Sequence, residues 1–437
     1  MYVISRLNSI LCGPALFIAV FGAGVFFLFK LKFFFVLHPV RTARAMFPEK
    51  GKGDGPSPFA AMCTALAGTL GVGNIVGVAG AVALGGPGAV FWMWVSALAA
   101  MVLKYAEVTL GVRWRVKKKD GLHGGAPYYI RDAAGMPRTA KLFALLCVAA
   151  SFTLGNAVQV RAAAEASGLS LGVHPALTGG AIAAVCFAVG FCGLKGVSAF
   201  TVRLIPALTV VFVAMSCASI FARAGRIPDV FGEIFRSAFT PSAAAGGAAG
   251  AVFSRAARYG LARGLASNEA GCGTAPTAHA AARTDLPARQ GLWGIAEVAV
   301  DTVFLCTLTA LVILVNRTEG AGEGIAPALG AFSSVFGKAA GYVVCFCVFF
   351  FALSTVICWS YYGAEAVGFL SPRPVWKKLY LAVFFLSTVP FSVTRTSLLW
   401  EASDLVCAVM TCINVAVLVT QSGEIKRMTE KIFLQSR

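Results

Sequence analysis

An all-α membrane protein is the fold class this chain predicts, and three observations predict it. Hydrophobic side chains make up 58% of the 437 residues and charged ones only 13%, with a mean hydropathy of +0.78, more apolar surface than one soluble core can hide. Windows long enough to span ~30 Å of hydrocarbon at ~1.5 Å per residue recur about eleven times. Two of those windows, the second and the seventh, are interrupted by glycine. Barrel strands need segments of ~10 residues with alternating polarity, and the chain does not alternate.

The candidate spans lie near 8–29, 59–84, 88–112, 141–166, 174–194, 200–222, 246–278, 291–316, 339–362, 376–396 and 401–421. The first exceeds the ~7–15 apolar residues of a signal-peptide core and leads into a basic loop, so it reads as a retained helix. Lysine and arginine gather in alternate loops. The first loop holds Lys30, Lys32, Arg41, Arg44, Lys50 and Lys52, the third holds Arg113, Arg115, Lys117, Lys118, Lys119, Arg131 and Arg138, and the second, around LGGPG, holds none. This positive-inside pattern explains the net charge of +18 without invoking nucleic acid, and the same clusters suit anionic lipid. Lys426, Arg427, Lys431 and Arg437 put the tail on the basic side, which places the C-terminus in the cytoplasm and the N-terminus outside a plasma (inner) membrane. The boundaries that follow are 1–57 for an extra N-terminal helix and its loop, 58–223 for a first five-helix repeat, 224–245 for a connecting loop, 246–422 for a second repeat and 423–437 for the tail.

The second span carries Gly68, Gly71, Gly73, Asn74, Gly77 and Gly80. The seventh reads RYGLARGLASNEAGCGTAPTAHA, with Gly260, Gly264, Gly271, Gly273 and Pro276 set among Arg263, Ser267, Asn268, Glu269 and Thr274. Each glycine costs a helix ~1 kcal/mol relative to alanine, and proline ~3. Backbone groups freed this way find no partner in lipid, so the break belongs inside protein or beside a water-filled cavity. It bares N–H groups for an anion and carbonyls for a cation, which suits a zwitterion accompanied by a metal ion. GxxxG spacing such as Gly73 to Gly77 also serves plain helix packing. Recurrence five spans apart favours the ligand reading, because five-helix halves are inverted and transporters built that way hold substrate between two broken helices.

These stretches resemble the alanine or glycine:cation symporter family. The likeness rests on GTLGVGNIVGVAGAVALGGPGAVFWMWVSALAAMVLKYAE (68–107) and RGLASNEAGCGTAPTAHAAARTDLPARQGL (263–292), and continues through EVAVDTVFLCTLTALVIL, FALSTVICWSYYG and LWEASDL, covering about 58–422. The resemblance implies a five-plus-five inverted-repeat fold of the leucine-transporter type and cotransport of small neutral amino acids with Na⁺ or sometimes H⁺. It implies that Gly71, Gly73 and Asn74 line the break in the first core helix, and Ser267, Asn268, Gly271, Gly273 and Thr274 the break in the sixth. It gives Gln159 and Trp359 as substrate contacts. It gives Ser354 and Thr355 as hydroxyls that complete a cation site with Gly71 and Asn74, a hard, neutral oxygen set of the kind Na⁺ takes. Each assignment has a plainer counterpart: the hydroxyls can bond back to their own helix, another helix can satisfy Gln159, and Trp359 can simply pack.

This sequence departs from the family at three places. Val72 replaces a hydroxyl residue, Ala266 replaces a bulky aromatic, and Arg161 stands where a small amide is expected. Ala266, if it faces the pocket, makes room for something larger than alanine; Arg161 either pairs with Glu165 one turn on or meets a substrate carboxylate. Arg161, Arg263 and Glu269 are gating or structural charges, with Glu269 capping the break, pairing with Arg263 or helping an ion. Glu297 and Asp301, four apart, share one face, where a structural network competes with a proton or ion role. Asp404 and Glu107 fall near span ends and face loops or solvent. The thirteen cysteines lie nearly all in apolar spans without CxxC spacing and read as packing residues. His38, His123, His174 and His279 read as loop or end residues, no nucleophile and base cluster, and no GxxxxGK[ST] loop is present, so the expectation is a secondary transporter that is neither enzyme nor ATP-driven, with no cofactor besides its coupling ion. A non-transporting amino-acid sensor or a transporter of divergent substrate specificity is the alternative.

Overall fold

The structure, a computed structural model, describes residues 16–47, 55–118, 121–191, 193–239, 255–317, 324–394 and 396–435. Lys50, Lys52, Lys119, Arg437, the start of the first expected span, the end of the connecting loop and the first residues of the seventh span lie outside the described residues.

Helices account for nearly all of it. The extra helix α1 is Leu16–Lys30. Helix α2 is a bent pair, Pro58–Thr69 and Gly73–Gly85, turned by 57° at the break. Then come α3 (Gly88–Arg113) and α4 (Pro137–Leu171), α5 (Pro175–Gly190) and α6 (Gly193–Phe221). Helix α7 runs Arg255–Asn268, unwinds, and resumes for one turn at Pro276–His279. It is followed by α8 (Pro287–Val315) and α9 (Lys338–Leu370), α10 (Pro374–Leu386), α11 (Thr396–Thr420) and the amphipathic α12 (Ser422–Gln435). A two-stranded hairpin, β1 (Val116–Lys118) against β2 (Gly121–His123), pairs Lys117 with Leu122. Six described helices are long and apolar enough to cross a membrane, seven with the bent pair counted as one span, while α1 and α5 are apolar but shorter.

The helix starts follow local chemistry. Proline occupies the first turn of α2, α4, α5, α8 and α10, where its missing N–H costs nothing. Ser57 Oγ caps α2 by accepting the Ala60 N–H at 3.1 Å. Three helices also carry a wide π turn: Gly73–Gly77 in α2, Thr153–Ala157 in α4 and Ala299–Cys306 in α8. Such turns insert one residue per turn and re-aim the side chains after them.

Packing centres on α3, which is buried along most of its length. Gly260 and Gly264 of α7 sit so tightly on Ala89, Met93 and Ser96 that a Cβ would collide, and Gly291 and Gly294 of α8 press likewise on Thr109 and Lys104. Small residues here let backbones approach. Gly73 and Gly77 behave differently, because a Cβ on either meets no atom within 4 Å. Helix packing therefore explains the glycines of α7 that precede its break, and it does not explain Gly73 and Gly77 of α2.

Candidate functional site

Both predicted breaks form. At α2 the chain leaves the helix at Leu70 and re-enters through the π turn at Gly73. At α7 it leaves after Asn268, with Glu269, Gly271 and Gly273 at φ of 51°, 85° and 78°. Glycine takes that left-handed backbone freely, whereas glutamate there carries strain of ~1 kcal/mol or more.

A cavity of about 610 Å³ lies between the two breaks. Gly68, Thr69, Gly73 and Gly77 of α2, Leu154 and Gln159 of α4, Arg263, Ala266, Ser267 and Glu269 of α7, and Trp400, Ser403 and Asp404 of α11 line it, with Leu16, Ile18 and Val20 of α1 along its edge. Of the predicted site residues, Gly73, Gln159, Ala266, Ser267, Arg263 and Glu269 thus face one space. Ala266 is among them, on the cavity wall. Volumes of this order accommodate a small ligand with room to spare.

Side chains knit the break in α2 to its surroundings. Gln159 Oε1 accepts the Val72 N–H at 3.0 Å, while Gln159 Nε2 donates to the Leu154 carbonyl freed by the π turn of α4, at 3.2 Å. Gly71 fits only as glycine, because a Cβ there would lie 2.5 Å from Gln159 Oε1 and 2.9 Å from Thr355 Oγ1. Thr355 Oγ1 stands 3.0 Å from the Ala67 carbonyl, 3.4 Å from that of Leu70 and 3.0 Å from that of Phe351 in its own helix. Ser354 Oγ bonds, among the described residues, back to the Phe351 carbonyl at 2.8 Å. The two hydroxyls expected to act together are thus separated: Thr355 reaches the break, and Ser354 takes the within-helix role.

Asn74 makes its side-chain bonds to α8. Its Nδ2 donates to Asp301 Oδ1 at 2.8 Å and to the Asp301 carbonyl at 3.2 Å. The other carboxylate oxygen of Asp301 accepts from Ser267 Oγ at 2.7 Å and Thr302 Oγ1 at 2.8 Å, so one buried acid ties α2, α7 and α8 together. Asn268 donates to Gly264 O at 2.7 Å and Thr302 Oγ1 at 3.1 Å, and its Oδ1 accepts the Ala270 N–H at 3.0 Å, capping the broken end.

Ala270 and Cys272 of the unwound segment also line the cavity, whereas Gly271, Gly273 and Thr274 do not. Gly273 donates its N–H to Glu107 Oε2 at 3.1 Å, and Asn414 Nδ2 donates to Gly271 O at 2.8 Å and Glu107 Oε2 at 3.0 Å. Thr274 Oγ1 donates to Glu269 Oε2 at 2.8 Å. Gly271, Gly273 and Thr274 are therefore held by protein groups. Trp359 is fully buried behind the pocket wall, with Gly155 of the α4 π turn pressed on its ring.

Several sequence expectations need correction. Glu107 does not face solvent; it is fully buried and grips the break. Asp404 lines the cavity. His279 is fully buried, and His123 is buried against Glu365, because the segments after α7 and in the hairpin fold back onto the bundle. Glu297 and Asp301 do not share a network: Glu297, before the π turn, meets Lys104 and His279, and Asp301, inside the π turn, meets Asn74. Glu269 and Arg263 are not paired, since Arg263 stacks over Trp400 at 5.3 Å. Arg161 donates to the Ser392 carbonyl at 2.9 Å, on the side of α4 away from Gln159. Asp301, Thr302, Asn414 and Lys104 were missed as partners of the breaks. Lys104 had a signal, a lysine three residues before a glutamate inside an apolar span, where charge is costly enough to mark function or pairing.

A bundle of apolar helices in which two broken helices line one cavity is the architecture of a secondary transporter. Comparison with known proteins agrees. The model of the sodium:alanine symporter family matches residues 1–437, and this chain belongs to that family. The sodium/alanine symporter AgcS of Methanococcus maripaludis is 34% identical over 98% of this chain and 96% of its own length. The probable sodium/glutamine symporter GlnT of Bacillus subtilis is 33% identical over 94% and 86%. The solved structure of MhsT in complex with L-phenylalanine matches with a TM-score of 0.58 over 89% of this chain and all of that one, at 14% identity, which is a likeness of fold.

Proposed function

We propose that this membrane transporter imports a small neutral amino acid, alanine, glycine or a somewhat larger relative, together with Na⁺ or H⁺. The observation that carries the reading is the cavity shared by two helix breaks, with Thr355 Oγ1 set against the Ala67 and Leu70 carbonyls that flank its wall residues Gly68 and Thr69. Those three oxygens form a neutral, hard donor set at a helix end of partial negative charge, the chemistry a monovalent cation requires. Ser267, Gln159 and the backbone around Gly73 are the polar groups on the cavity side nearest the two breaks, with Arg263, Glu269, Ser403 and Asp404 also on its wall. They suit the ammonium and carboxylate of an amino acid, and the space at Ala266 suits a side chain longer than a methyl.

Transport proceeds by alternating access between the two five-helix halves, with about eleven crossings, the N-terminus outside and the C-terminus in the cytoplasm. Cation binding holds the break of α2, substrate joins beside it, and the pair favours the inward-facing state because each ligand binds the two states unequally. The test is uptake of labelled alanine into proteoliposomes under an inward Na⁺ gradient, an inward proton gradient, or neither, for the parent chain and Asn74→Ala. Gradient-dependent uptake lost in the variant supports the reading. Binding without uptake points to the sensor alternative, and uptake indifferent to both gradients removes the symport.

A further inference from the structure

A second buried network lies away from the cavity, at the start of α2. His279 sits in the single turn that resumes α7, fully buried. Its Nε2 lies 3.0 Å from Glu297 Oε2, and its Nδ1 lies 2.8 Å from Gln290 Nε2. The same Gln290 nitrogen donates to the Pro58 carbonyl, in the first turn of α2, at 3.2 Å. Glu297 Oε1 is 3.4 Å from Lys104 Nζ, which is 3.6 Å from Glu107 Oε1, and Glu107 Oε2 holds the Gly273 N–H of the unwound segment. One chain of polar groups thus joins the break of α7 to the first turn of α2.

Two features of this chain are incomplete. The first is charge. With Lys104 positive, Glu107 and Glu297 negative and His279 neutral, a site in which none of the four side chains is more than 1% exposed carries one net negative charge, an expensive state away from water. The second is the Gln290 amide. Both hydrogens of Nε2 are used, which requires an unprotonated Nδ1, and Oε1 is buried with no partner among the described residues. A proton on Nδ1 resolves both. The cluster becomes neutral, and the amide turns over so that Oε1 accepts from Nδ1. The turn also withdraws the donor from the Pro58 carbonyl.

We propose that His279 is a proton-binding site, and that Gln290 converts its occupancy into release of the first turn of α2 from the α7–α8 corner. The charged and titratable groups facing it are accounted for. Helix α3 supplies Lys104 and Glu107, α8 supplies Glu297, and α7 supplies Glu269, which is bonded to Thr274. Helix α9 supplies Tyr361, whose hydroxyl reaches the Thr277 carbonyl, and Glu365, which is held by His123 and Lys377. Helix α9 also supplies Tyr362 and Cys358, both within electrostatic reach of Glu297. Arg115 is committed to the carbonyls of Ala280, Ala282 and Thr284. None of these is the cation or substrate contact proposed above, so the site stands apart from that reading.

The experiment measures maleimide labelling of Ala60→Cys in the full-length purified chain in detergent, with the exposed Cys412 changed to serine. Rates are taken at about pH 8 and about pH 5.5, either side of the histidine range, relative to Lys117→Cys on the exposed hairpin, which corrects for thiolate fraction. The relative rate is expected to rise on the order of threefold or more at the lower pH, as the bound population shifts. His279→Gln and, independently, Glu297→Gln, which makes the cluster neutral without the proton, are expected to flatten that rise. A flat response in the parent overturns the proposal, as does an unchanged response in either folded variant. Labelling requires no transport, so it stands or falls separately from symport.

Discussion

Asp301 accepts from Asn74, Ser267 and Thr302 at 2.7–2.8 Å, so a single carboxylate fixes where both breaks sit, and residues at this scale carry sharply different duties. Thr355 touches the carbonyls of the α2 break, whereas Ser354 next to it does not. Thr355→Val is therefore expected to raise the cation concentration for half-maximal uptake about tenfold, equivalent to ~1.4 kcal/mol, with an unchanged melting temperature, while Ser354→Ala has little effect. Cation titration of uptake measures both, and equal effects of the two variants would contradict the assignment. Lys104 is a different kind of residue. Lys104→Met leaves Glu107 and Glu297 buried without their cation, at a cost of ~3–5 kcal/mol, and is expected to lower thermal stability in detergent markedly. A variant as stable as the parent would show that the pair contributes nothing to the fold.

Glycine separates two functions at the scale of the helix. Gly264 of α7 lies against Ser96 of α3 with no space for a side chain, while Gly77 of α2 faces open cavity. Gly264→Val forces the helices apart, and overpacking of this kind costs ~1–3 kcal/mol, so a lower melting temperature is expected. Gly77→Val is expected to leave the melting temperature near the parent's and to weaken substrate binding by filling the cavity. Thermal unfolding and ligand binding on the same two preparations check the contrast. The π turns act at the same scale: in α8, Glu297 precedes the π segment Ala299–Cys306 and Asp301 lies within it, so one helix serves two networks.

The whole molecule sets selectivity through what surrounds the cavity. Ala266 lies on its wall beside Ser267 and Gly73, so Ala266→Phe is expected to narrow the range of amino acids that compete for uptake toward glycine and alanine. The parent is expected to be inhibited by larger neutral amino acids as well. Competition across an amino-acid panel decides it, and a parent inhibited by glycine and alanine alone would refute the enlarged site. Much of this architecture was legible beforehand, because helix-breaking glycine in an apolar span leaves few physical outcomes: the bend at 70–73 and the unwinding after Asn268 fell where the composition placed them. Trp359, Gly271 and Gly273 were legible as important but not as turned away from the pocket, since which face of an irregular segment meets the cavity depends on neighbours distant in the chain.

The sequence by itself determined that this chain lives in a membrane, where its helices break and which family it belongs to, since hydrophobicity, glycine and proline act locally and are read directly. Only the tertiary structure decided the partners of its buried charges. Glu107, His279, Glu297 and Lys104 lie within two helices and one turn that meet in space, and burial makes each of them settle its charge with whatever the fold brings alongside.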